Sequence, residues 1–313
     1  MPGSFLLVAA VAAVLTPREV VFVETASAAV VRRVELPGEG LDAFAAPDGR
    51  IVVPLAGDAG TAVVAASGTV ERWPGRVFPL FFVEPDRMYV VLPGLLATLS
   101  YPERAPIARM PLAGVAGARR AACSADGRLV AVIPVDPGGH ALVLVPALER
   151  GAPVRVELGG EPSLVTLAAD GAFAVAVSGG RSLELTAAGG ERRARDVLAL
   201  DGAVRSVCPG VEGRGILVGL AGRAGGELVG VRVEPGAAEP LRVTFRTVLA
   251  APVNAIGTAA GEIIALAGED LVVLSHNGRH PRRVMAVAGA TGLAVVPAQP
   301  QSTVPAWSDA AAP

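Results

Sequence analysis

The amino-acid sequence predicts an all-β fold built from one repeated unit, and three observations point to it. A near-copy of one stretch recurs, because "PDGRIVVPLAG" begins at Pro47 and "ADGRLVAVIP" begins at Ala125. The 313 residues are 52% hydrophobic and 18% charged, with 38 Gly and 26 Pro. The apolar runs are short and bounded by turn residues, which is typical of strands joined by tight turns.

Weaker copies of the recurring stretch occur along the whole chain. They begin at Pro2, Pro85, Ala169, Glu212 and Ala260. The six steps between the seven copies average 43 residues, which is the length of a four-stranded propeller blade. A second motif keeps the same phase, since "RVELPGE" at 33 returns as "RVELGGE" at 155. The repeat therefore predicts a β-propeller.

Each unit reads as four strands, named a to d outward from the axis. In the third unit, strand a covers 118–125, strand b 128–134, strand c 141–148 and strand d 153–159. The Asp-Gly pair between strands a and b suits a hairpin because glycine accepts a positive φ. Strand b is almost continuously aliphatic, as expected for a strand covered on both faces. Charges on strand d would protect an outer edge from pairing with other chains.

The two ends of the chain predict how the ring closes. Beyond six full units, from about Leu41 to Gly289, "TGLAVVPA" at 291 reads as a lone strand a. The N-terminal segments "FLLVAAVAA", "EVVFVETAS" and "AVVRRVELPG" read as strands b, c and d. Joined, these strands complete a ring without an open edge. We predict a seven-bladed β-propeller over 1–297 and an irregular tail over 298–313, with an eight-bladed count left open.

The N-terminal apolar run, Phe5–Leu15, has a second interpretation as a targeting segment. It is too short to span a membrane as a helix, and no basic residue precedes it. A signal peptidase site at 26–28 would follow a charged region containing Arg18 and Glu19. We therefore interpret the run as a buried strand, which favours the cytoplasm slightly over the periplasm and leaves the compartment open.

Several strands resemble those of a known family. "MYVVLPG" at 88, "VVFVETAS" at 20 and the turns "APDGR" and "SADGR" resemble the bacterial YVTN/lactonase-like seven-bladed propellers, although the YVTN tetrapeptide itself is absent. The resemblance implies the propeller fold and functions spread over lactone hydrolysis, periplasmic binding and scaffolding. It carries no catalytic motif that can be placed on residues of this chain.

Composition excludes several function classes. All 27 basic residues are arginines, so Schiff-base catalysis, P-loop phosphate binding and Ser–Lys nucleophiles are excluded. The net charge of −2 gives no global attraction to nucleic acid or to an anionic membrane. No G-x-S-x-G or H-E-x-x-H motif occurs. We expect no cofactor and no membrane span, although a membrane complex could be the partner.

The histidines and cysteines predict neither a metal site nor a disulfide. His276 and His280 fall in a predicted c–d turn with too few neighbouring ligands, and His140 falls in a Gly-rich loop. Cys123 and Cys208 fall on innermost strands two blades apart, which is too far for a disulfide. We expect two separate, buried thiols.

Two sets of polar residues are the site candidates. The first set comes early in the strands a, where side chains at the channel mouth could bind a small polar ligand or an ion, or could be hydrated and mutually paired: Asp42, Arg120, Arg205 and Asn254. The second set lies in loops of the same face or in the tail and could dock another protein, or could be ordinary solvated residues: Asp58, Asp136, Arg181, Arg223, Glu269, Asp270 and Trp307.

These features favour a non-catalytic propeller that serves as an interaction or assembly platform, with other protein subunits as partners. No catalytic residue is assigned. One alternative is a lactonase-like hydrolase that acts at the channel mouth. Another is a periplasmic small-ligand binder, which would require the N-terminus to be a cleaved signal.

Overall fold

The computed structural model describes residues 10–75, 80–136, 139–149, 151–189, 197–211, 215–222 and 225–296. These residues form seven four-stranded antiparallel sheets and no helix. Each sheet is one blade of a ring, so the predicted seven-bladed β-propeller is confirmed. No helix in the described part of the chain has the length and apolarity needed to cross a membrane.

Blades 1 to 3 follow one another along the chain, each with its strands in the order a to d. Blade 1 consists of β4 (Phe44–Ala45), β5 (Ile51–Pro54), β6 (Thr61–Val64) and β7 (Val70–Trp73). Blade 2 consists of β8 (Leu80–Glu84), β9 (Arg87–Leu92), β10 (Leu95–Ser100) and β11 (Pro106–Pro111). Blade 3 consists of β12 (Ala118–Cys123), β13 (Leu129–Pro134), β14 (Ala141–Pro146) and β15 (Val154–Glu157).

Blades 4 to 7 complete the ring. Blade 4 consists of β16 (Pro162–Leu167), β17 (Phe173–Ser178), β18 (Ser182–Ala187) and β19 (Val197–Ala199). Blade 5 consists of β20 (Ala203–Pro209), β21 (Gly215–Gly222), β22 (Gly225–Val233) and β23 (Leu241–Leu249). Blade 6 consists of β24 (Val253–Ala259), β25 (Glu262–Ala267), β26 (Asp270–Ser275) and β27 (Arg282–Ala286). Blade 7 consists of β28 (Gly292–Val296), β1 (Val11–Leu15), β2 (Glu19–Glu24) and β3 (Ala29–Glu35).

Blade 7 joins the two ends of the chain, as predicted. Strand β28 pairs antiparallel with β1, so that Val296 faces Val11 and Gly292 faces Leu15. The position of strand b differs from the prediction, because β1 begins at Val11 and not at Phe5, and runs on to Leu15. Its side chains from Ala12 to Leu15 are buried between the neighbouring blades. The motif copy at 2 lies outside the described residues.

The core lies in the seams between neighbouring blades. One cluster joins Val177 of blade 4 to Val218 of blade 5, and another joins Val91 of blade 2 to Val132 of blade 3. A strand b is covered on both faces because each blade has a neighbour on each side. All six residues of β13 are accordingly buried.

The loops lie on two opposite faces of the ring. The d–a and b–c loops lie on one face, here called the upper face, and the a–b and c–d loops lie on the lower face. Upper-face loops are two to eight residues long. They are hydrogen-bonded to each other, because Leu112 N–H donates to the carbonyl of Gly94 at 2.8 Å and Leu200 N–H donates to that of Arg181 at 2.8 Å. This bonding holds the described parts of the upper-face loops close to the ring.

Candidate functional site

The innermost strands of four consecutive blades carry a β-bulge near their upper end. The bulged residues are Arg119, Ser163, Arg205 and Asn254. A classic bulge adds a residue to one strand and redirects its side chain. Arg205 and Asn254 therefore occupy equivalent positions, whereas Arg120 lies one residue beyond the bulge. The equivalent residue of blade 3 is Arg119, which counting residues back from the turn did not identify.

Asp42 and Arg120 come together although they belong to blades two apart. The Arg120 guanidinium lies 3.8 Å from the Asp42 carboxylate, which also accepts a hydrogen bond from Ala43 N–H at 2.8 Å. Burial raises the pKa of Asp42 above its usual range, while the Ala43 N–H and the Arg120 charge partly offset that rise. Over a third of the Asp42 side-chain surface remains accessible, so this desolvated carboxyl can still meet solvent or a ligand.

The other two channel candidates stand apart from this pair. Arg205 and Asn254 are exposed, and neither side chain has a hydrogen-bond or ion-pair partner among the described residues. Arg119 is held by the neighbouring blade, because its guanidinium lies 2.5 Å from the Glu161 carboxylate. The structure thus joins two of the four predicted residues, and the binding role of the set stays a prediction.

Three of the proposed docking residues are engaged within their own blade. Asp136 lies 3.4 Å from Arg155, and Asp270 lies 2.6 Å from Arg283. The Glu269 carboxylate accepts a hydrogen bond from Gly289 N–H at 2.7 Å. These carboxylates stabilise loops and edge strands of the propeller itself.

Asp58 and Arg181 are the docking candidates whose side chains remain free among the described residues. Both are exposed and lie in b–c loops of the upper face, in blades 1 and 4. Arg223 and Trp307 lie outside the described residues.

The upper face also exposes aliphatic side chains that charge-based reasoning did not identify. Leu41, Leu92, Val135 and Val248 are 44%, 36%, 53% and 79% exposed. Leu92 and Val135 border b–c loops, Leu41 lies in a d–a loop, and Val248 lies near the end of an outer strand. Their common feature is proximity to the upper loops, which only the strand topology shows.

The cysteines and histidines provide no reactive cluster in the described part of the chain. Both thiols are free, and burial raises the pKa of each to about 12, with the Asp126 carboxylate adding to the rise at Cys123. A protonated thiol is a poor nucleophile. His276 and His280 are exposed in the c–d turn of blade 6, and the described residues contain no group of three His, Cys, Asp or Glu side chains placed to hold a metal.

A groove of about 290 Å³ opens at the outer end of the seam between blades 2 and 3. We call it the seam groove. One wall is the row Tyr89, Thr98 and Ala108 across three paired strands of blade 2, and the other is Ala147 and Leu148 of the c–d loop of blade 3. Tyr89 is 5% exposed, and burial raises its pKa, with smaller contributions from neighbouring charges. Its hydroxyl therefore stays protonated at neutral pH.

The rim of the seam groove combines aliphatic and basic side chains. A bulge in edge strand β11 falls at Ile107, between residues paired with Thr98 and Leu99. Ile107 and Leu148 are 52% and 55% exposed. Arg109 is exposed beside them and has no ion-pair partner among the described residues. Local sequence gives no sign of this groove, because its two walls are about 40 to 60 residues apart in the chain.

The seven four-stranded sheets define the class of this protein as a seven-bladed β-propeller. No protein-family model matches the chain, and no curated protein matches it. The solved structures share the fold at low identity. A functionally unknown protein from Desulfotomaculum acetoxidans DSM 771 matches with a TM-score of 0.69 and 13% identity, covering 93% of this chain and 100% of that one.

Two further structures are similar over most of their length. Hydrazine synthase of Kuenenia stuttgartiensis matches with a TM-score of 0.57 and 16% identity, over 77% of this chain and 78% of that one. The β-propeller domain of Myceliophteria thermophila Cps50 (Swd1) matches with a TM-score of 0.59 and 13% identity, over 82% and 88%. At these identities the similarity shows the fold alone.

Proposed function

We propose that this propeller is a non-catalytic interaction platform whose upper face docks another protein subunit. The observation that carries the proposal is the set of four exposed aliphatic side chains on that face, Leu41, Leu92, Val135 and Val248. Protein interfaces combine apolar contacts with a polar rim, and the free charges of Asp58 and Arg181 supply such a rim. Short, hydrogen-bonded loops hold these groups in place, so docking would need little ordering of the backbone.

The test is recovery of the partner with a tagged full-length chain from the cells that produce it. We expect one defined assembly at fixed stoichiometry with the wild-type chain. The double variant Val135→Asp/Val248→Asp should reduce the recovered partner by about tenfold, because buried charges at an interface are costly. Val197→Asp is the matched control, since Val197 is 41% exposed at the opposite end of a blade. Equal recovery with all three chains, or a lone monomer, would contradict the proposal.

A second candidate function is favoured by the Asp42–Arg120 pair. A carboxyl whose pKa is raised, next to a guanidinium and open to solvent, is a recognised arrangement for acid–base chemistry. In this case the protein would be a lactonase-like hydrolase. We propose its membership of the YVTN/lactonase-like group together with that activity. It is supported by the positions of "MYVVLPG" and "VVFVETAS", which overlap the buried strands β9 and β2.

The hydrolase candidate is tested with a panel of lactones and the variants Asp42→Asn and Arg120→Ala. Turnover by the wild-type chain that both variants lose would support it. No turnover with any lactone, or turnover unchanged in both variants, would reject it.

A further inference from the structure

The bulge in the innermost strand of blade 5 directs Arg205 into the central channel. The residues on either side of Arg205 face the two neighbouring blades: Val204 packs in the cluster that joins blades 4 and 5, and the Ser206 hydroxyl donates to the Val253 carbonyl of blade 6 at 2.9 Å. One edge of β20 is paired with β21. The inserted Arg205, which is exposed, is therefore left on the remaining side of the strand, which faces the channel.

Blade 6 repeats this arrangement at Asn254. Val253 packs in the cluster between blades 5 and 6, and Ala255 packs against the cluster between blades 6 and 7. One edge of β24 is paired with β25, so the exposed Asn254 also lies on the channel side of its strand. Bulges that redirect a single side chain are frequent next to functional sites.

Arg205 and Asn254 are neighbours on the channel wall. The hydrogen bond from Ser206 to Val253 joins β20 to β24 at residues that directly adjoin Arg205 and Asn254 in the chain. Ser206 and Val253 are buried, at 8% and 0% exposure, so this bond sets the spacing of the two strands at the level of the two bulges. We call Arg205 and Asn254 together the channel patch.

The charges around the channel patch favour a ligand with one negative charge. At the upper ends of the innermost strands, Arg119 is paired with Glu161, and Arg120 is paired with Asp42. Arg205 has no ion-pair partner in the described part of the chain. The patch therefore carries one unbalanced positive charge, which a monoanion neutralises and a dianion exceeds.

A carboxylate matches the donors of the channel patch. A guanidinium donates two parallel N–H bonds to the two oxygens of a carboxylate, and such charge-assisted bonds are among the strong ones in proteins. The Asn254 amide supplies two further N–H donors beside it. Neither side chain has a hydrogen-bond partner within the described residues, so a ligand breaks no bond of the described fold when it binds them.

We propose that the channel patch binds the carboxylate group of a small organic acid, with Arg205 as its ion-pair partner and Asn254 as a second donor. The site uses neither the exposed aliphatic side chains of the proposed docking surface nor the Asp42–Arg120 pair. It can therefore hold or fail independently of partner docking and of hydrolase activity.

The experiment uses the two asparagines of the chain, Asn254 and Asn277, as NMR probes. Asparagine labelled with ¹⁵N in its side chain gives one pair of NH₂ signals from each, and Asn277→Asp assigns them. Asn277 lies in a lower-face turn, where Ser275 and Arg279 donate to its Oδ1. The full-length chain is titrated with sodium acetate at an ionic strength held constant with sodium chloride. We expect a saturable shift of the Asn254 signals and an unchanged Asn277.

Three variants test the role of the guanidinium. Arg205→Gln should weaken acetate binding by about tenfold or more, the factor expected for losing a hydrogen bond from a charged donor. Arg205→Lys should give an intermediate affinity, because lysine keeps the charge but not the two parallel donors. The matched control is Arg242→Gln, the same charge change at an exposed residue on the outermost strand of blade 5, and it should leave the affinity unchanged.

The absence of a saturable Asn254 shift with acetate would overturn the proposal. So would equal affinities in the wild-type chain and Arg205→Gln, or equal weakening in Arg205→Gln and Arg242→Gln, which would assign the effect to overall charge. Inorganic phosphate is the competing probe, and tighter binding of phosphate than of acetate would overturn the assignment to carboxylates. In every arginine variant, a native Asn277 signal shows that the fold is retained.

Discussion

The seam between blades 5 and 6 and the seam between blades 2 and 3 have equivalent places in the ring, but their outer ends are filled differently: a phenylalanine ring packs into the first, and the second opens into the seam groove. In blade 5 the row of paired residues facing the next blade is Leu217, Gly230 and Phe245. In blade 2 it is Tyr89, Thr98 and Ala108. Both rows end beside the c–d turn of the following blade. The large residue is outermost in the first seam and innermost in the second.

The filled seam depends on two glycines around one ring. A methyl group placed on Gly230 would overlap the Phe245 ring, and so would one placed on Gly278 in the c–d turn of blade 6. Thr247 strengthens the same contact by donating to the carbonyl of Gly278 at 2.6 Å. The comparison teaches that one repeated blade can produce either a filled seam or an open groove by exchanging large and small residues along one row.

The largest expected effect comes from adding a methyl group to the filled seam. Gly278 has φ +73°, and Gly94 has φ +72° with nothing near its absent Cβ. Gly94→Ala should lower the free energy of unfolding by about 1 kcal/mol, from backbone strain alone. Gly278→Ala should lower it by about 3 kcal/mol, because overlap with Phe245 adds to the strain. Urea denaturation measures both, and equal losses would show that Phe245 does not fill the seam.

Removing the ring should open the filled seam. Phe245→Ala is expected to cost about 2 to 3 kcal/mol of unfolding free energy, at the lower end for phenylalanine because the ring is only half-buried. In that background Gly278→Ala should cost no more than Gly94→Ala, since the overlap has gone. A double-mutant cycle by denaturation measures the difference. Additive losses would refute the direct contact.

The opposite change should fill the open seam. Ala108→Phe places a large residue at the outer end of the blade 2 row, as in blade 5. We expect unfolding free energy to change by less than about 1 kcal/mol, because the ring enters existing space. Urea denaturation measures the change. A loss of several kcal/mol would mean that the walls cannot accommodate a ring.

The smallest effect is expected at the channel, where blades 1 and 3 meet by charge and not by packing. Since the Arg120 charge lowers the pKa of Asp42, Arg120→Ala should raise that pKa further, and the effect should be small because both groups are partly solvated. Carbon-13 NMR titration of the carboxyl measures the shift. Arg205→Ala is the control, and an equal shift in that variant would show that the effect is not specific to the pair.

The raised pKa of Asp42 also has a defined consequence for stability. The folded protein binds the Asp42 proton more tightly than the unfolded chain does, so stability falls as pH rises from about the unfolded pKa through the folded one. Above that window the charged carboxylate keeps a small constant cost. Asp42→Asn should remove this contribution, which is measured by comparing denaturation of the two proteins from pH 3 to pH 7. An unchanged difference across that range would contradict the shift.

Blade number, strand order and ring closure could be predicted from sequence because their signals are local. The Asp-Gly turns, the aliphatic strands b and the 43-residue spacing each depend on a few consecutive residues, and a lone strand a at one end matched three strands at the other. The start of β1 was misplaced because the apolar run is longer than the strand that blade 7 needs. Hydrophobicity alone does not choose a register along such a run.

The candidate sites were decided by tertiary structure. The bulges that separate Arg120 from the positions of Arg205 and Asn254 depend on pairing with strand b. The contact of Asp42 with Arg120 joins residues that are far apart in the chain. The seam groove exists because Ala108 and Ala147 face each other from different blades. The local segment of a residue determines which strand it occupies. Its side chain, however, packs against side chains of the next blade. Packing between blades therefore determines whether that residue closes a seam or lines a site.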